Sequence, residues 1–346
     1  MTSGYNILRK PVTEPAAWTT EDLAADRSWL QTLTPAELAE IDVAVAVVRS
    51  KGLATFEFTR DDFPLPRLGA RLRDIARDLE HGRGVVLLRG LAPERYDIDA
   101  LYALYWGLAV HLGTPISQNA KGDLIGQVTD SGQDYQTKNV RGYTTRAALR
   151  PHCDASDVVG LLCVHPAKTG GASCIASAAT IYNTILAERP EFIAPLCRGF
   201  HFDLRGEGVT DDPDEVTFNR VPVFSYFDGW LSCRYNGKTI IDGMAKSGAP
   251  LSDDDLAAVE FVRALAMRPG IRFDMGFRPG DIQLLNNHMV LHSRTDFEDW
   301  PEPARKRRLL RLWLNLDHGR ALAPAFADRL NTGPRGGVMA RATDRT

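Results

Sequence analysis

The feature that most constrains the fold is a succession of short apolar runs in the second half of the chain, separated by turn residues. They are "VVGLLCVH", "SCIAS", "GFHFDLR", "VPVFSYF", "WLSCRYNGKTII", "IRFDMGF", "DIQLLNNHMVLHS" and "RLLRLWLNL". Rich in β-branched and aromatic residues and bounded by Gly, Pro, Asp and Asn, such runs predict strands. Two helical inserts interrupt them, "ATIYNTILAERPEFIAPL" and "SDDDLAAVEFVRALAMRPG". Many short strands with few helices predict a mainly β core with helical decoration, a sandwich or barrel and not a doubly wound sheet. No G-x-G-x-x-G follows a strand, and there is no Walker loop and no internal repeat.

Upstream the pattern changes. Residues 20 to 80 predict helices: "TPAELAEIDVAVAVVRS" opens on a Thr-Pro start signal, and "PLPRLGARLRDIARDLEHG" repeats Leu and Ile at three-to-four spacing before a glycine. "GVVLLRG" predicts a buried strand, and "DIDALYALYWGLAVHLG" a helix ending on Gly113. From 114 to 150 the chain is polar and rich in Gly, Gln and Thr, and it predicts a lid or a disordered segment.

With 346 residues and 44% apolar content the chain can fill a sizeable core. A net charge of −3 with acids and bases interspersed provides no field for nucleic acid or anionic lipid, which argues against both partners. The start "MTSGYNILRKPVTEP" lacks the apolar core of a signal peptide, and no window approaches a membrane span, so a cytoplasmic location is expected. The five cysteines form an odd set without C-x-x-C spacing and are expected to be reduced, buried small residues. Oligomeric state is not legible.

Chemistry enters at "LRPHCDASDVVGLLCVH". Here His152 and Asp154 stand two residues apart, where the polar segment meets an apolar run. An H-x-D pair is cheap, and "GFHFDLR" carries a second one, His201 and Asp203. The setting favours the first, a mobile mouth opening onto a rigid wall. A third ligand is offered by His292 in "GDIQLLNNHMVLHSRTDF", with His288 as competitor. Two imidazoles and one carboxylate leave positions open for substrate and O₂, the geometry of non-haem Fe(II) oxygenases, whereas a structural zinc site closes with four ligands.

In "ARKRRLLRLWLNL", Arg307, Leu309, Arg311 and Trp313 alternate onto one face of a strand. A buried arginine needs an anion, and a planar guanidinium suits a carboxylate, so a dicarboxylate co-substrate explains the pattern. The alternative is a solvated edge strand with salt bridges. Ser173, closing "TGGAS", can donate a hydrogen bond to the same carboxylate, although Gly-Gly before a small hydroxyl residue is also ordinary turn chemistry.

The order of these pieces resembles the TauD/TfdA (taurine dioxygenase-like) branch of the Fe(II)/2-oxoglutarate-dependent dioxygenases, from about Gly84 to Leu316. The resemblance implies a double-stranded β-helix, or jelly roll, over residues 81–320 with a lid at 114–150. A helical cover at 1–80 precedes it and a tail at 321–346 follows. It implies His152, Asp154 and His292 as iron ligands, in preference to His201 and His288. Ser173 and Arg307 would hold 2-oxoglutarate, with Arg311 as the second arginine and Arg308 as a rival one register away. The implied co-reactants are Fe(II), 2-oxoglutarate and O₂. Because Asp154 is retained, the implied outcome is hydroxylation, or desaturation or ring closure, and not halogenation. The substrate class implied is a small polar metabolite such as an amino acid or another carboxylate or sulfonate, with Arg146, Arg150, Arg234 and Arg294 as candidate contacts. Two other readings compete: a metal-dependent hydrolase or isomerase on the same barrel, and a non-catalytic binding module whose histidines are core residues.

Overall fold

The computed structural model describes residues 6–13, 15–132, 142–210 and 212–341. Two sheets dominate it. In the larger, β1 (Leu30–Thr32), β2 (Val85–Arg89), β12 (Ile282–Asn286), β6 (Val158–His165), β15 (Arg308–Asn315) and β3 (Thr114–Ile116) lie side by side in that order, and β4 (Ile125–Val128) also pairs with β15. All its pairings are antiparallel except β1 with β2. The smaller sheet runs β11 (Arg272–Met275), β8 (Ser173–Ser177), β13 (Val290–Arg294), β5 (Leu149–His152). Two short ribbons, β9 (Phe224–Phe227) with β10 (Trp230–Cys233) and β7 (Thr169–Gly170) with β14 (Phe297–Glu298), complete the strands among the described residues.

The central strands read as continuous apolar runs because both faces of the larger sheet are covered. Side chains alternate across a strand, so each run splits between two cores. Val158, Leu162 and Val164 of β6 and Leu310, Leu312 and Leu314 of β15 pack outward, with Leu72 and Leu79 of α3 (Leu68–His81), Val45 of α2 (Pro35–Ser50) and Leu104 of α4 (Ile98–Leu112). Each such buried aliphatic side chain contributes roughly 1.5–3 kcal/mol. The opposite faces, Val159, Leu161, Leu309, Arg311 and Trp313, border an interior cavity. The Arg307-to-Trp313 alternation is thus real, but β15 has partners on both sides, which excludes the solvated edge strand.

The helices follow their local signals. Thr34 caps α2 through a capping box with Glu37, and Pro35 takes the first turn, where its missing N–H costs nothing. A short α1 (Thr20–Ala25) precedes α2, and the small sheet is backed by α5 (Ala178–Glu188) and α8 (Asp253–Ala266), with α6 (Ile193–Arg198) beside them. The last described helix is α9 (Pro324–Ala327). No helix among the described residues is long and apolar enough to cross a membrane. All five cysteines are free and buried.

Several local expectations are corrected. "WLSCRYNGKTII" ends β10 at Cys233 and then forms α7 (Gly237–Lys246), because the Asn236 side chain accepts from the Thr239 amide and starts a helix where the β-branched run suggests a strand. "GFHFDLR" makes only isolated bridges, Phe200 with Val221 and Asp203 with Val216. "DIQLLNNHMVLHS" is two strands, with His288 in the turn between them. The polar 114–150 segment contributes β3, β4 and the start of β5 to the sheets; residues 133–141 of the expected lid lie outside the described residues.

β12 enters the sheet through Gly280, whose φ of 82° is in the left-handed region and whose amide donates to the Cys163 carbonyl at 2.8 Å. A Cβ there would fall 1.8 Å from the Leu91 carbonyl oxygen. Gly280→Ala is therefore expected to destabilise the chain by at least about 2 kcal/mol in urea unfolding, and an unchanged midpoint would contradict the packing described.

Candidate metal centre and its cavity

The register of the small sheet creates the centre. In the β13–β5 pair His292 stands directly opposite His152, and their rings lie 4.4 Å apart between centroids. The His152 Nδ1–H donates to the Arg150 carbonyl at 2.8 Å, which leaves Nε2 bare as a ligand atom. Two residues on, Asp154 is fixed at both ends. Its amide donates to Asn287 Oδ1 at 2.9 Å, and its Oδ2 accepts from the Trp313 indole at 3.1 Å. Asp154 Oδ1 is then 3.9 Å from His152 Nε2, and Oδ2 is 3.6 Å from His292 Nε2.

One ligand atom from each of the three residues lies within 4.8 Å of the others. The donor set fits a divalent transition metal. Burial, reinforced by the neighbouring His292, pushes the His152 imidazole down to about 4, so it is neutral and able to donate a lone pair at pH 7. Burial alone would raise Asp154, but contact with His292 and the positive charge of Arg311 outweigh it and hold the carboxyl well below the usual range. A neutral His152 imidazole beside an ionised Asp154 carboxylate offers a cation two donors that carry no proton to be displaced.

The centre opens into a cavity of about 780 Å³ that lies between the sheets. Ser173, Arg307 and Arg311 all border it. The Ser173 hydroxyl donates to Gln283 Oε1 at 2.9 Å, a bond from one sheet to the other. Arg311 is held through Nε by Gln118 Oε1 at 2.6 Å. Arg307 is buried, and its Nη1 has no hydrogen-bond partner among the described residues. Burial lowers its guanidinium to about 10, and the favourable charge of Asp299 offsets this only in part. Gly171, with φ 68°, makes room for it, since a Cβ there would meet Arg307 Nε at 3.1 Å. Arg308, the rival, does not border the cavity.

Of the four arginines expected to meet substrate, Arg150, Arg234 and Arg294 border the cavity, while Arg146 is exposed and does not. The competing histidines are accounted for elsewhere. His201 Nδ1 bonds the Thr217 carbonyl at 2.7 Å, and Asp203 accepts from Lys246. His288 donates from Nε2 to Asp157 Oδ1 at 2.9 Å, inside a buried cluster that includes Arg335 and Arg329. Sequence reasoning missed Asn287 and Gln118, which orient Asp154 and Arg311, because amide side chains carry no motif. It also missed the α7 face, Lys238, Asp242 and Lys246, which borders the cavity.

Comparison with known proteins agrees with this geometry. The family model described as "Taurine catabolism dioxygenase TauD, TfdA family" matches residues 49–313. "FR-33289 synthase" of Streptomyces rubellomurinus is 35% identical over 318 residues, 91% of this chain and 93% of that protein. "Taurine hydroxylase-like protein SAT17" of Stachybotrys chartarum is 28% identical over 86% of this chain and 77% of that protein. Among solved structures, asparagine oxygenase with Fe(II), 3-hydroxyasparagine and succinate superposes with a TM-score of 0.62 at 16% identity, covering 83% of this chain and 94% of that one. The non-haem iron oxygenase OrfP with Fe and α-ketoglutaric acid superposes with a TM-score of 0.59 at 14% identity, covering 83% and 94%.

Two measurements follow from the site's surroundings. Trp313→Phe keeps an aromatic ring but removes the donor to Asp154, and the Fe(II) dissociation constant, titrated under argon, is expected to rise about ten-fold. His201→Ala should leave it unchanged. The second concerns pH. Burial depresses His288 from the ordinary 6.5 to about 4, so the unfolded chain takes up this proton first as pH falls. The stability of the neutral, buried imidazole is complete above about pH 6.5 and is lost toward about 4. The urea midpoint of the metal-free chain is expected to fall across that window, and His288→Asn should make the fall shallower; a parallel profile would exclude His288 as a source.

Proposed function

This chain belongs to the taurine dioxygenase TauD/TfdA family and is a non-haem Fe(II)- and 2-oxoglutarate-dependent dioxygenase; on that premise we propose that it hydroxylates a small polar metabolite, an amino acid or another carboxylate or sulfonate. Membership removes the hydrolase, isomerase and binding-module readings. His152, Asp154 and His292 are the proposed iron ligands, on a jelly roll formed by the two sheets. Residues 1–80 are the proposed cover and 321–346 the proposed tail. The observation that carries the site assignment is the meeting, in one cavity, of two cross-strand imidazoles, an ionised carboxylate and a buried arginine with an unsatisfied N–H.

Bound iron with 2-oxoglutarate supplies the O₂ chemistry: one oxygen atom goes to the substrate and the other to succinate as CO₂ leaves. This chain's residues position and shield. Arg307 meets the far carboxylate of 2-oxoglutarate, where its fork gives direction as well as charge. Ser173 turns its hydroxyl from Gln283 toward the same group, and Arg311, braced by Gln118, adds positive potential beside Asp154. Val159, Leu161 and Leu309 form an apolar wall that keeps bulk water away. Desaturation or ring closure would use the same residues, but the substrate would lose two hydrogen atoms and the second oxygen atom would leave as water. The asparagine- and arginine-derived ligands named for asparagine oxygenase and OrfP support an amino-acid-like substrate.

Arg307→Ala is expected to raise the 2-oxoglutarate concentration needed for half-maximal succinate release by at least about ten-fold, as loss of a charge-assisted hydrogen bond should. Asp154→Ala should abolish both turnover and the visible charge-transfer band of the anaerobic Fe(II)–2-oxoglutarate complex. A co-substrate titration unchanged in Arg307→Ala would remove the arginine from this role.

A further inference from the structure

Most charges that border the cavity are already answered by a neighbour. Lys246 pairs with Asp203 at 2.9 Å and Asp214 at 3.3 Å, Lys238 with Asp242, and Arg263 with Glu260. Arg234 is different. It borders the cavity and is only 8% exposed, yet it makes no ion pair among the described residues. Its Nη2 donates to the Arg329 carbonyl at 2.7 Å, and its guanidinium lies over the Phe202 ring, 4.6 Å from the centroid. Nη1 is buried with no partner.

The surroundings make this charge harder to hold. Burial lowers the Arg234 guanidinium to about 9, and the neighbouring charges of Arg329 and Arg205 add to the effect. Asp328 acts on it favourably but makes no ion pair with it. Arg329 is itself buried, with Nε and Nη2 lacking hydrogen-bond partners and the Asp157 carboxylate 3.7 Å away. A buried cation without a counter-ion is costly to hold, and a second buried cation alongside, although paired with Asp157, adds repulsion. A guanidinium that served only to anchor the Arg329–Leu330 segment would need neither the cavity wall nor a spare donor.

Arg307 and Arg234 are both buried on this cavity, and each carries an unsatisfied N–H. The first is matched by the co-substrate under the function proposed above, on which this step rests. We propose that Arg234 is a second oxyanion subsite, which receives the acidic group of the primary substrate beside Phe202 and the Arg329–Leu330 segment. The substrate's oxyanion group, a carboxylate, sulfonate or phosphonate, is thereby placed on Arg234, apart from the carbon that is oxidised. The aromatic face of Phe202 and the flat guanidinium lock one another in place, so the donor is oriented before the anion arrives.

The test uses the full chain, loaded anaerobically with Fe(II) and 2-oxoglutarate. Acetate, methanesulfonate and methylphosphonate are titrated in turn by calorimetry, with the visible charge-transfer band followed in parallel. At least one probe is expected to bind, and its identity tells a planar from a tetrahedral oxyanion. Arg234→Met should raise that probe's Kd by at least about ten-fold while the charge-transfer band forms as in the parent. Arg234→Lys, which keeps a charge but not the fork, should show a smaller loss. Absence of binding by all three probes overturns the proposal, and so does an unchanged Kd in Arg234→Met. If Arg234→Met also loses the band, Arg234→Lys decides: weaker probe binding with the band intact supports the subsite, and parental binding rejects it. If the parent chain itself forms no band, the function proposed above fails, and the same probe titrations on the metal-free chain still report on Arg234.

Discussion

The site depends on one cross-strand pairing, His152 opposite His292 at the junction of β5 and β13. A slip of one residue in either strand would send one imidazole to the far face of the sheet, because side chains alternate with a period of two. The register is defended from several directions. β13 is clamped on its other side by β8, Asp154 is tied to Asn287 in the turn that leads into β13, and Trp313 reaches it from the opposite sheet. The two imidazoles thus borrow their position from β8, from β15 and from the turn after β12.

Much of this was legible in the sequence, for identifiable reasons. The alternation of Arg307, Leu309, Arg311 and Trp313 survives because β15 is central and both of its faces are buried against different partners. The capped starts of α2 and α4 are local chemistry and needed no tertiary information: Thr34 and Asp97 each accept from amides in their own first turn. Spacing could not separate His152 from His201; the setting favoured His152 and the resemblance decided it, and in space His201 is bonded to Thr217.

What was missed depends on contacts distant along the chain. β5 hides inside a polar stretch that ends in "LRPH", where a proline and an arginine mask a strand that exists because β13 lies beside it. α7 follows a strand-like run and is released by one capping asparagine. That Arg234 has no counter-ion among the described residues is invisible in a sequence with 41 Lys and Arg, because it depends on what packs around the side chain. Propensity and period speak about a residue's own neighbourhood; charge balance is a property of the whole interior.

The two imidazoles of the centre are not equals. His152 has its Nδ1 tethered to the Arg150 carbonyl, whereas the Nδ1 of His292 is buried with no partner among the described residues. One jaw of the clamp is thus cast in advance, with its tautomer and ring angle set by the main chain. The other has no such main-chain tether, and what faces its Nε2 is the Asp154 carboxylate, 3.6 Å away.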